Sequence, residues 1–268
     1  MTKNTVTQYN LPLIYGLLNG KLVHISYVSG GVNCNCRCPE CDGLLIAKKG
    51  ALKQHHFAHA NVDDCGKGGE TALHLAAKEI IRKRNCIYLP AVEAKFSLMD
   101  FSRVLKVFAP EQKYELDSVV LEKRIGSIIP DALAYVRSRP IAIEIKVSHS
   151  VSEDKIAYYQ EIGMSAIEID LSNIVRDYTP ETLESMVIGP GKQKSWLFNA
   201  VTFKYCEKKL SEGKRYAFIY RGFAKHVDGC PIPARVWKGK PYANVMDDCC
   251  NCHHFLYMDE NDIICCIT

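Results

Sequence analysis

The chain has 268 residues, of which 47% are hydrophobic and 24% are charged, with a formal net charge of +4. These proportions match a folded protein of one or two domains and exclude a disordered tail or a collagen-like repeat. The sequence has no run of about 18 apolar residues and no N-terminal secretory signal pattern, so we expect a cytoplasmic protein without a membrane partner.

The first predicted elements are a hairpin, a metal-binding module and a helix. Two apolar runs flank Asn19-Gly20, a dipeptide that favours the positive φ angles of a two-residue hairpin turn. Residues 34–65 are dense in Cys and His, which indicates a compact module held by metal. From Gly69 to Arg84 apolar residues recur at helical spacing, which predicts a helix.

Strands and a second helix are predicted next. Residues 86–148 are short β-branched runs separated by turn-forming residues, a pattern typical of consecutive strands. The segment from the Ser152 cap to Gly163 predicts a helix, and the sequence MSAIEIDL after it predicts a buried strand. The predicted order is therefore helix, strands, helix, strand.

The C-terminal part differs in charge from the rest of the chain. A short helix is expected near Thr179, before a boundary at Gly189-Pro190-Gly191. Residues 191–240 carry 12 Lys or Arg against 3 Asp or Glu, whereas residues 241–268 carry none against 5. This basic segment suits a phosphate backbone, although a solvated basic face without a partner is the alternative.

These observations divide the chain into three predicted parts. Residues 1–68 form an N-terminal hairpin and zinc module, and residues 69–190 form the core. Residues 191–268 form a basic connector and a cysteine-rich C-terminal module.

The most informative polar residues are Asp131, Glu144 and Lys146. If Ser138-Arg139 form a hairpin loop, antiparallel pairing places Asp131 opposite Lys146 and Leu133 opposite Glu144. All three polar side chains then share one face of the sheet, whereas a register shifted by one residue would separate them.

Two carboxylates beside a strand as apolar as IAIEIKV need partners, and a metal site would supply one. Carboxylate oxygens suit a hard divalent cation, Mg²⁺ or Mn²⁺, which stabilises charge in phosphodiester hydrolysis and lowers the pKa of a bound water. Lys146 could position that water, help to deprotonate it, or neutralise the developing charge. The alternative is an exposed sheet face with a Glu–Lys cross-strand pair.

Two zinc sites are predicted from cysteine spacing. Cys38 and Cys41 form a CxxC turn, and we choose His59 and Cys65 as the other ligands. His56 competes with His59, and Cys34 and Cys36 are spare thiols that could substitute.

The second zinc site lies in the C-terminal tail. Cys249 and Cys252 form another CxxC pair, which Cys230 and Cys265 complete, with Cys250 and Cys266 left over. Both sites are closed and therefore structural, because no position remains for water or substrate. The modules would place Lys and aromatic residues such as Trp237 and Tyr242 near nucleic acid.

The sequence resembles the PD-(D/E)XK nuclease superfamily and, more narrowly, the competence protein CoiA family. The resemblance covers roughly residues 10–170 and rests on the N-terminal hairpin, CPEC, HFAH, the ETALHLAAK helix, Pro130-Asp131 and EIKVS. It implies an α/β (α+β) fold with a restriction-endonuclease-like mixed sheet flanked by helices, joined to a zinc-finger-like N-terminal module and a zinc-ribbon-like C-terminal module. Lys146 stands where many relatives carry Gln, which is closer to the wider superfamily.

The resemblance also implies further site residues. The family's helix opens with a Glu-Ser pair followed by His and Lys, and Glu70-Thr71, His74 and Lys78 occupy those places here. Glu70 would be an outer metal ligand, or only an acid that complements the helix N-terminus. His74 and Lys78 could contact phosphate, or His74 could pack against the sheet. Tyr159 and its neighbours on the second helix could face the substrate or belong to the core.

The sequence thus predicts a Mg²⁺-dependent deoxyribonuclease acting in transformation, recombination and repair, or phage defence. Its partner would be duplex, single-stranded or branched DNA, with a second copy of the chain or a recombination or defence protein as a further partner. Two alternatives remain: a non-catalytic zinc-containing nucleic-acid-binding protein with a vestigial nuclease site, and a zinc-stabilised interaction adaptor.

Overall fold

A computed structural model describes residues 11–61, 65–98, 101–232 and 235–266. The helices are α1 (Gly68–Arg84), α2 (Glu153–Glu161), α3 (Pro180–Ile188) and α4 (Ala200–Glu212). The strands of the first half are β1 (Tyr15–Leu18), β2 (Lys21–His24), β3 (Leu45–Lys48), β4 (His56–His59), β5 (Cys86–Leu89), β6 (Val92–Leu98), β7 (Phe101–Ala109), β8 (Gln112–Glu115), β9 (Ser118–Leu121) and β10 (Ala132–Val136). Those of the second half are β11 (Arg139–Lys146), β12 (Ala166–Asp170), β13 (Lys194–Phe198), β14 (Lys214–Ala217), β15 (Ile219–Arg221), β16 (Ala224–Asp228), β17 (Arg235–Trp237), β18 (Lys240–Asn244), β19 (Phe255–Met258) and β20 (Asp262–Cys265).

The chain forms two compact units. Unit 1 contains residues 1–90 and 111–198, and unit 2 contains residues 91–110 and 199–268. The division of the sequence at residues 68 and 190 stays a prediction. Within the described ranges, every helix is too short or too polar to traverse a lipid bilayer.

The centre of unit 1 is a mixed five-stranded sheet with the order β13-β12-β11-β10-β9. The pair β11–β12 is parallel and the other pairs are antiparallel. A parallel pair needs a crossover connection, and α2 supplies it between β11 and β12. The predicted sequence of helix, strands, helix and strand is confirmed as α1, β9–β10–β11, α2 and β12.

The two faces of this sheet are buried by different helices. Ile143, Ile145, Ile167 and Ile169 belong to one hydrophobic core with buried residues of α1 and α3. Glu144 lies on the opposite face because side chains alternate along a strand, and buried Tyr159 of α2 donates a hydrogen bond to it. The sheet is therefore a central layer with α1 and α3 on one side and α2 on the other.

The N-terminal part of unit 1 contains two hairpins. The hairpin β1–β2 turns at Asn19-Gly20, whose φ angles of 51° and 74° confirm the predicted turn. The hairpin β3–β4 follows, and the backbone of Arg37 joins that of Leu17 by two hydrogen bonds of 2.8 Å. Buried residues of both hairpins, such as Tyr15 and Phe57, belong to the same hydrophobic core as the central sheet.

Not all of the predicted strands between residues 86 and 148 join the central sheet. β5 pairs with β8 as a separate ribbon, and β6 pairs with β7 as a hairpin that belongs to unit 2. Residues 99 and 100 of this region lie outside the described residues. Only β9, β10 and β11 enter the sheet that holds the candidate site.

Unit 2 also contains α4 and two small sheets. One sheet has the order β14-β20-β19 and the other β15-β16-β18-β17. Its core contains Val227, Ala243, Phe255, Ile263 and Cys265. A π-helical turn, Val245–Cys249, leads from β18 into the cysteine-rich tail.

Candidate active site and metal centre

The register of β10 and β11 decides whether the predicted acidic residues meet. Ala132 pairs with Ile143 and Val136 with Arg139, so the two-residue turn is Arg137-Ser138. The predicted loop at Ser138-Arg139 was therefore wrong, and so were the pairs Asp131 with Lys146 and Leu133 with Glu144. Leu133 lies opposite Ala142, and continuing the register by one residue places Asp131 opposite Glu144.

This correction moves the partner strand by two residues, which leaves Glu144 on its predicted face. Asp131 precedes the first paired residue of β10, and its carboxylate contacts α1, whereas that of Glu144 contacts α2. A shift of two residues leaves each side chain on its side of the sheet, whereas a shift of one would reverse it. Arg137 and Ser138 have φ angles of 50° and 62°, the combination required by the turn type that matches strand twist. Neither residue is a strong sequence signal for that turn.

Asp131 lies just before β10 and is held by groups from two elements. Its Oδ2 accepts a hydrogen bond from the Ile145 backbone N–H at 2.9 Å and lies 2.8 Å from His74 Nε2. Its Oδ1 lies 3.7 Å from Lys78 Nζ. Burial raises the pKa of Asp131, but the hydrogen bond and charge of His74, with smaller effects from Ile145 and Lys78, bring the pKa below its usual value.

Lys78 has an unusual environment for a lysine on a helix. Its side chain is only 8% exposed, and its Nζ lies 2.6 Å from Glu122 Oε1. It therefore connects α1 to the chain between β9 and β10, and it brings a positive charge close to Asp131. The sequence analysis considered phosphate contact for His74 and Lys78, or packing of His74 against the sheet, and here both residues contact Asp131.

Glu144 is the most deeply buried carboxylate of the group, at 3% exposure. Its Oε1 lies 2.7 Å from Lys155 Nζ and accepts a hydrogen bond from the Tyr159 hydroxyl. Burial raises the pKa of Glu144 more than these two contacts lower it, and the negative charge of Asp131 raises it further. Two acids close to each other in a poorly solvated place are an arrangement that a cation would stabilise.

Lys146 contacts an acid that the sequence analysis did not consider. Its Nζ lies 2.7 Å from Asp170 Oδ2, in the parallel register that pairs these two residues across β11 and β12. The hydrogen bond to Asp170 raises the pKa of Lys146, so the amine is protonated at neutral pH. Burial raises the pKa of Asp170, but the contacts with Lys146 and Ser172 lower it below its usual value.

Two further acids were missed although the sequence carried a signal for them. β11 reads IEIK and β12 reads IEID, so both strands place polar residues at alternate positions within an apolar run. Parallel pairing then puts Glu168 beside Glu144 and Asp170 beside Lys146. The polar face therefore contains three acids and Lys146 on two neighbouring strands, with Asp131 at its edge.

Glu70 lies at the start of α1 and contacts the end of the same region. Its Oε1 accepts a hydrogen bond from the Ser148 hydroxyl, two residues after Lys146. The neighbouring Thr71 hydroxyl donates to Glu40 Oε2 at 2.6 Å. Glu70 is thus tied to the segment after β11, and its role as an outer metal ligand stays a prediction.

A separate group of ligand atoms lies in the N-terminal part of unit 1. The sulfurs of Cys38, Cys41 and Cys65 and a ring nitrogen of His59 all lie within 4.8 Å of one another, so this Cys₃His cluster could hold a structural metal ion such as zinc. Cys41 Sγ lies 3.2 Å from His59 Nε2, and Cys38 Sγ lies 3.8 Å from Cys65 Sγ. The described ranges contain no second group of this kind.

The residues that competed for this cluster lie elsewhere. His56 and His59 stand three positions apart on β4, so they point to opposite sides of the strand, and His56 Nδ1 instead lies 2.9 Å from the Gln54 carbonyl oxygen. The thiols of Cys34 and Cys36 donate to the carbonyl oxygens of Leu45 and Cys34. Burial raises the pKa of the Cys38 thiol to about 12, and a bound metal would have to stabilise its thiolate.

The cluster packs directly against the beginning of α1. A Cβ atom placed on Gly68 would lie 3.0 Å from Cys38 Sγ and 3.4 Å from Cys65 Sγ. A side chain at this position would therefore crowd the thiols. The lack of a side chain lets the first turn of α1 approach the metal ligands closely.

The four predicted ligands of the C-terminal site line one cavity of about 400 Å³ in unit 2: Cys230, Cys249, Cys252 and Cys265. Burial raises the pKa values of Cys249 and Cys265 to about 12, and their proximity to the other cysteines contributes. None of the thirteen cysteines forms a disulfide.

Comparison with known proteins supports one part of the chain. The family model described as Competence protein CoiA, N-terminal domain, matches residues 31–67. The matched segment contains all four residues of the Cys₃His cluster, so this part of the chain is similar to that domain. Comparison with curated proteins and with solved structures finds no match.

The alternation along β4 leads to a test of the metal ligands. We expect His59→Ala to lose one equivalent of zinc and to lower the melting temperature by about 5 °C or more, because a structural metal contributes folding free energy. His56→Ala, on the same strand, is the matched control and should keep the wild-type zinc content. Metal analysis by mass spectrometry measures the zinc content of both purified variants, and thermal denaturation measures their melting temperatures. Zinc loss in the His56 variant alone would contradict the assignment.

Proposed function

We propose that the protein is a Mg²⁺-dependent nuclease that hydrolyses phosphodiester bonds of DNA. Asp131 and Glu144 hold the cation, Lys146 neutralises charge, and Glu70 supports the site. The observation that carries this proposal is the register of β10 and β11. Continued by one residue it sets Asp131 beside Glu144, close enough for the charge of Asp131 to raise the pKa of Glu144.

The donor set fits a hard divalent cation. Both residues offer carboxylate oxygens, the ligands that Mg²⁺ and Mn²⁺ prefer. Lys155 and Tyr159 both contact Oε1 of Glu144, and neither of these two contacts involves Oε2. Burial and the charge of Asp131 both raise the pKa of Glu144, and a bound cation would counteract both effects by stabilising the carboxylate.

Such a cation, when bound, lowers the pKa of a coordinated water and stabilises the negative charge that develops on the phosphate. The residues of the chain have positioning and electrostatic roles around it. Lys155 and Tyr159 orient Glu144 through its Oε1, and His74 with the Ile145 N–H orients Asp131. Because its pKa is raised, Lys146 is suited to neutralise charge and poorly suited to accept a proton.

The order of elements also supports the proposal. Helix α1, the three strands β9 to β11, helix α2 and strand β12 follow the order implied by the resemblance to the PD-(D/E)XK superfamily. The match to the CoiA N-terminal domain lies directly before this region and adds a link to competence. A role in DNA processing during transformation, recombination and repair, or phage defence is part of the proposal.

One observation favours a second candidate function, a nucleic-acid-binding protein with a vestigial site. Every central residue has a partner within the protein: Asp131 has His74, Glu144 has Lys155, and Lys146 has Asp170. A catalytic cation would have to compete with these ion pairs. Cleavage assays separate the two functions.

We further propose that unit 2 binds a second structural zinc, around which the four thiols that line the C-terminal cavity would draw together, because in the structure they do not form as compact a group as the Cys₃His cluster. The core of unit 2 is small, and several of its members are these cysteines themselves. A closed four-thiolate site would stabilise it and would leave no position for catalysis.

The cleavage prediction concerns Asp131. We expect Asp131→Asn to lower the rate of DNA cleavage with Mg²⁺ or Mn²⁺ by at least about 100-fold, because loss of one cation ligand removes several kcal/mol of charge stabilisation. Labelled duplex, single-stranded and branched DNA and an RNA strand should be tested together. Asp177→Asn, at an exposed aspartate of unit 1, is the control for charge removal. Equal cleavage by Asp131→Asn and wild type would remove the catalytic assignment, and binding without cleavage on all substrates would favour the second candidate.

The raised pKa of Glu144 predicts a pH-dependent effect of the cation on stability. The pKa of the Glu144 carboxyl group is raised in the folded state, so the group stabilises the fold at a pH below the pKa that it has in the unfolded chain. This stabilisation is lost as the pH rises through the pKa of the folded state. A cation that binds the carboxylate restores stability, so Mg²⁺ should raise the melting temperature more at pH 8 than at pH 5. Glu144→Gln should abolish the Mg²⁺ effect in thermal denaturation, whereas Glu153→Gln, at the exposed start of α2, should keep it. An equal Mg²⁺ shift in wild type and Glu144→Gln would contradict cation binding at this residue.

The second zinc has its own test. We expect Cys252→Ser to lower the zinc content of the full-length protein by one equivalent without removing the metal of the N-terminal cluster. Cys206→Ser, at a half-buried cysteine of α4 outside both groups, is the control. A Cys252 variant with unchanged zinc content would show that the C-terminal thiols serve as reduced core residues.

A further inference from the structure

One face of the four-stranded sheet in unit 2 is covered with aromatic and basic side chains. In the order β15-β16-β18-β17, the register places Arg221, His226, Tyr242 and Trp237 on the same face. Val227 and Ala243, at the alternate positions, are buried in the core on the other side. The first face, which we call the aromatic face, therefore points away from the core of unit 2.

The aromatic rings of this face are arranged around cations. The Arg221 guanidinium lies 5.4 Å from the centre of the Trp237 ring and 5.5 Å from that of Tyr242. Lys238 Nζ lies 4.6 Å from the Trp237 ring centre, and the rings of His226 and Tyr242 are 5.5 Å apart. The Trp237 side chain is nevertheless 53% exposed, so much of a large ring faces solvent.

The charges of this face favour an anion. Arg221 pairs with Asp228 at 2.6 Å, and Arg235 pairs with Asp248 at 2.8 Å and with Asp247 at 3.1 Å, so these two cations are more than balanced by three acids. In the part of the chain that the structure describes, no acid forms an ion pair with Lys238 or Lys240. These two lysines flank Gly239 in the turn beside the exposed tryptophan.

The hairpin β15–β16 adds a further exposed ring at the edge of the sheet. Its tip is Gly222-Phe223, where Gly222 has a φ of 65° and Phe223 has essentially its whole surface in solvent. Arg221 precedes this tip. An apolar ring held fully exposed on a two-residue turn is available for stacking, and burying it would release apolar surface from water.

We propose that the aromatic face binds a single strand of nucleic acid, with bases stacked on Trp237 and Tyr242 and the phosphates contacted by Lys238 and Lys240. Stacking needs a free π-face, which a base in a duplex does not offer, so the exposed rings favour a single strand. Stacking and phosphate contact are shared by DNA and RNA. This proposal goes beyond the nuclease site, because binding here requires neither Asp131 nor a cation.

The binding test uses the full-length protein with Asp131→Asn, so that cleavage cannot deplete the probe. Fluorescence anisotropy is measured with labelled oligo-dT, oligo-U and a DNA duplex of equal length without Mg²⁺. We expect tighter binding of the single strands than of the duplex and a loss of about 10-fold with Trp237→Ala. Trp237→Phe should recover most of the loss because it keeps a ring for stacking. Tyr257→Ala, at a comparably exposed aromatic residue of β19, should bind as the parent protein does.

Two further measurements locate the contacts. The sequence has two tryptophans, so Trp196→Phe leaves Trp237 as the reporter, and its fluorescence should be quenched by oligo-dT. The logarithm of the binding constant falls linearly with the logarithm of the salt concentration, and each phosphate contact on a single strand contributes about 0.7 to the slope. The double change Lys238→Gln and Lys240→Gln should therefore make this slope less steep by about 1.4. Lys208→Gln, at an exposed lysine of α4 that lies 3.7 Å from Glu212, should leave the slope unchanged.

These outcomes separate this proposal from the nuclease proposal. If the wild-type protein cleaves no substrate while single-strand binding depends on Trp237, the nuclease proposal is contradicted and the proposal for the aromatic face is supported. Three outcomes would each contradict the proposal for the aromatic face. They are an equal single-strand affinity of Trp237→Ala and its parent protein, an absence of single-strand binding, and a preference for duplex that Trp237→Ala does not change.

Discussion

The antiparallel register of β10 and β11 is the constraint on which the candidate site depends. Continued by one residue, it sets Asp131 beside Glu144, and it lets the Ile145 N–H donate to Asp131. The register is set by a two-residue turn in which Arg137 and Ser138 both adopt positive φ angles. Left-handed conformations of non-glycine residues are costly, so the packing of the strands on both faces must stabilise this turn. The geometry of the carboxylates is thus fixed by the packing of the sheet as a whole.

The same packing explains how so many charges are accommodated beside an apolar layer. Isoleucines of β11 and β12 face α1 and α3, and the alternate positions carry Glu144, Lys146, Glu168 and Asp170. Like charges opposite each other on paired strands are unfavourable, and Glu144 lies beside Glu168. Lys155 and Tyr159 from α2 reduce this cost at Glu144, while Lys146 pairs with Asp170. The site is therefore an electrostatically balanced network with a slight excess of acid, which a cation would complete.

Local signals predicted those parts of the molecule that local chemistry determines. Asn19-Gly20 gave the first hairpin, and helical periodicity gave α1. The Cys₃His cluster followed from cysteine spacing, but the choice between His56 and His59 needed the position of β4 in its hairpin. The register predicted for β10 and β11 was wrong by two residues, because the sequence Arg137-Ser138 is not a strong signal for a turn. The partners of Lys146 and Asp131 could not be predicted, since Asp170 and His74 reach them through long-range packing.

The Cys₃His cluster and the candidate active site are joined by a single helix of unit 1. Gly68, the first residue of α1, lies against the Cys38 and Cys65 thiols, and within about three turns the same helix presents Glu70, His74 and Lys78. His74 and Lys78 contact Asp131, and Glu70 contacts Ser148 beyond β11. A metal ion in the cluster would fix the start of α1 and, through the rigid helix, the groups that orient the Asp131 carboxylate. A structural metal in the cluster would therefore be linked mechanically, through α1, to the geometry of the candidate site.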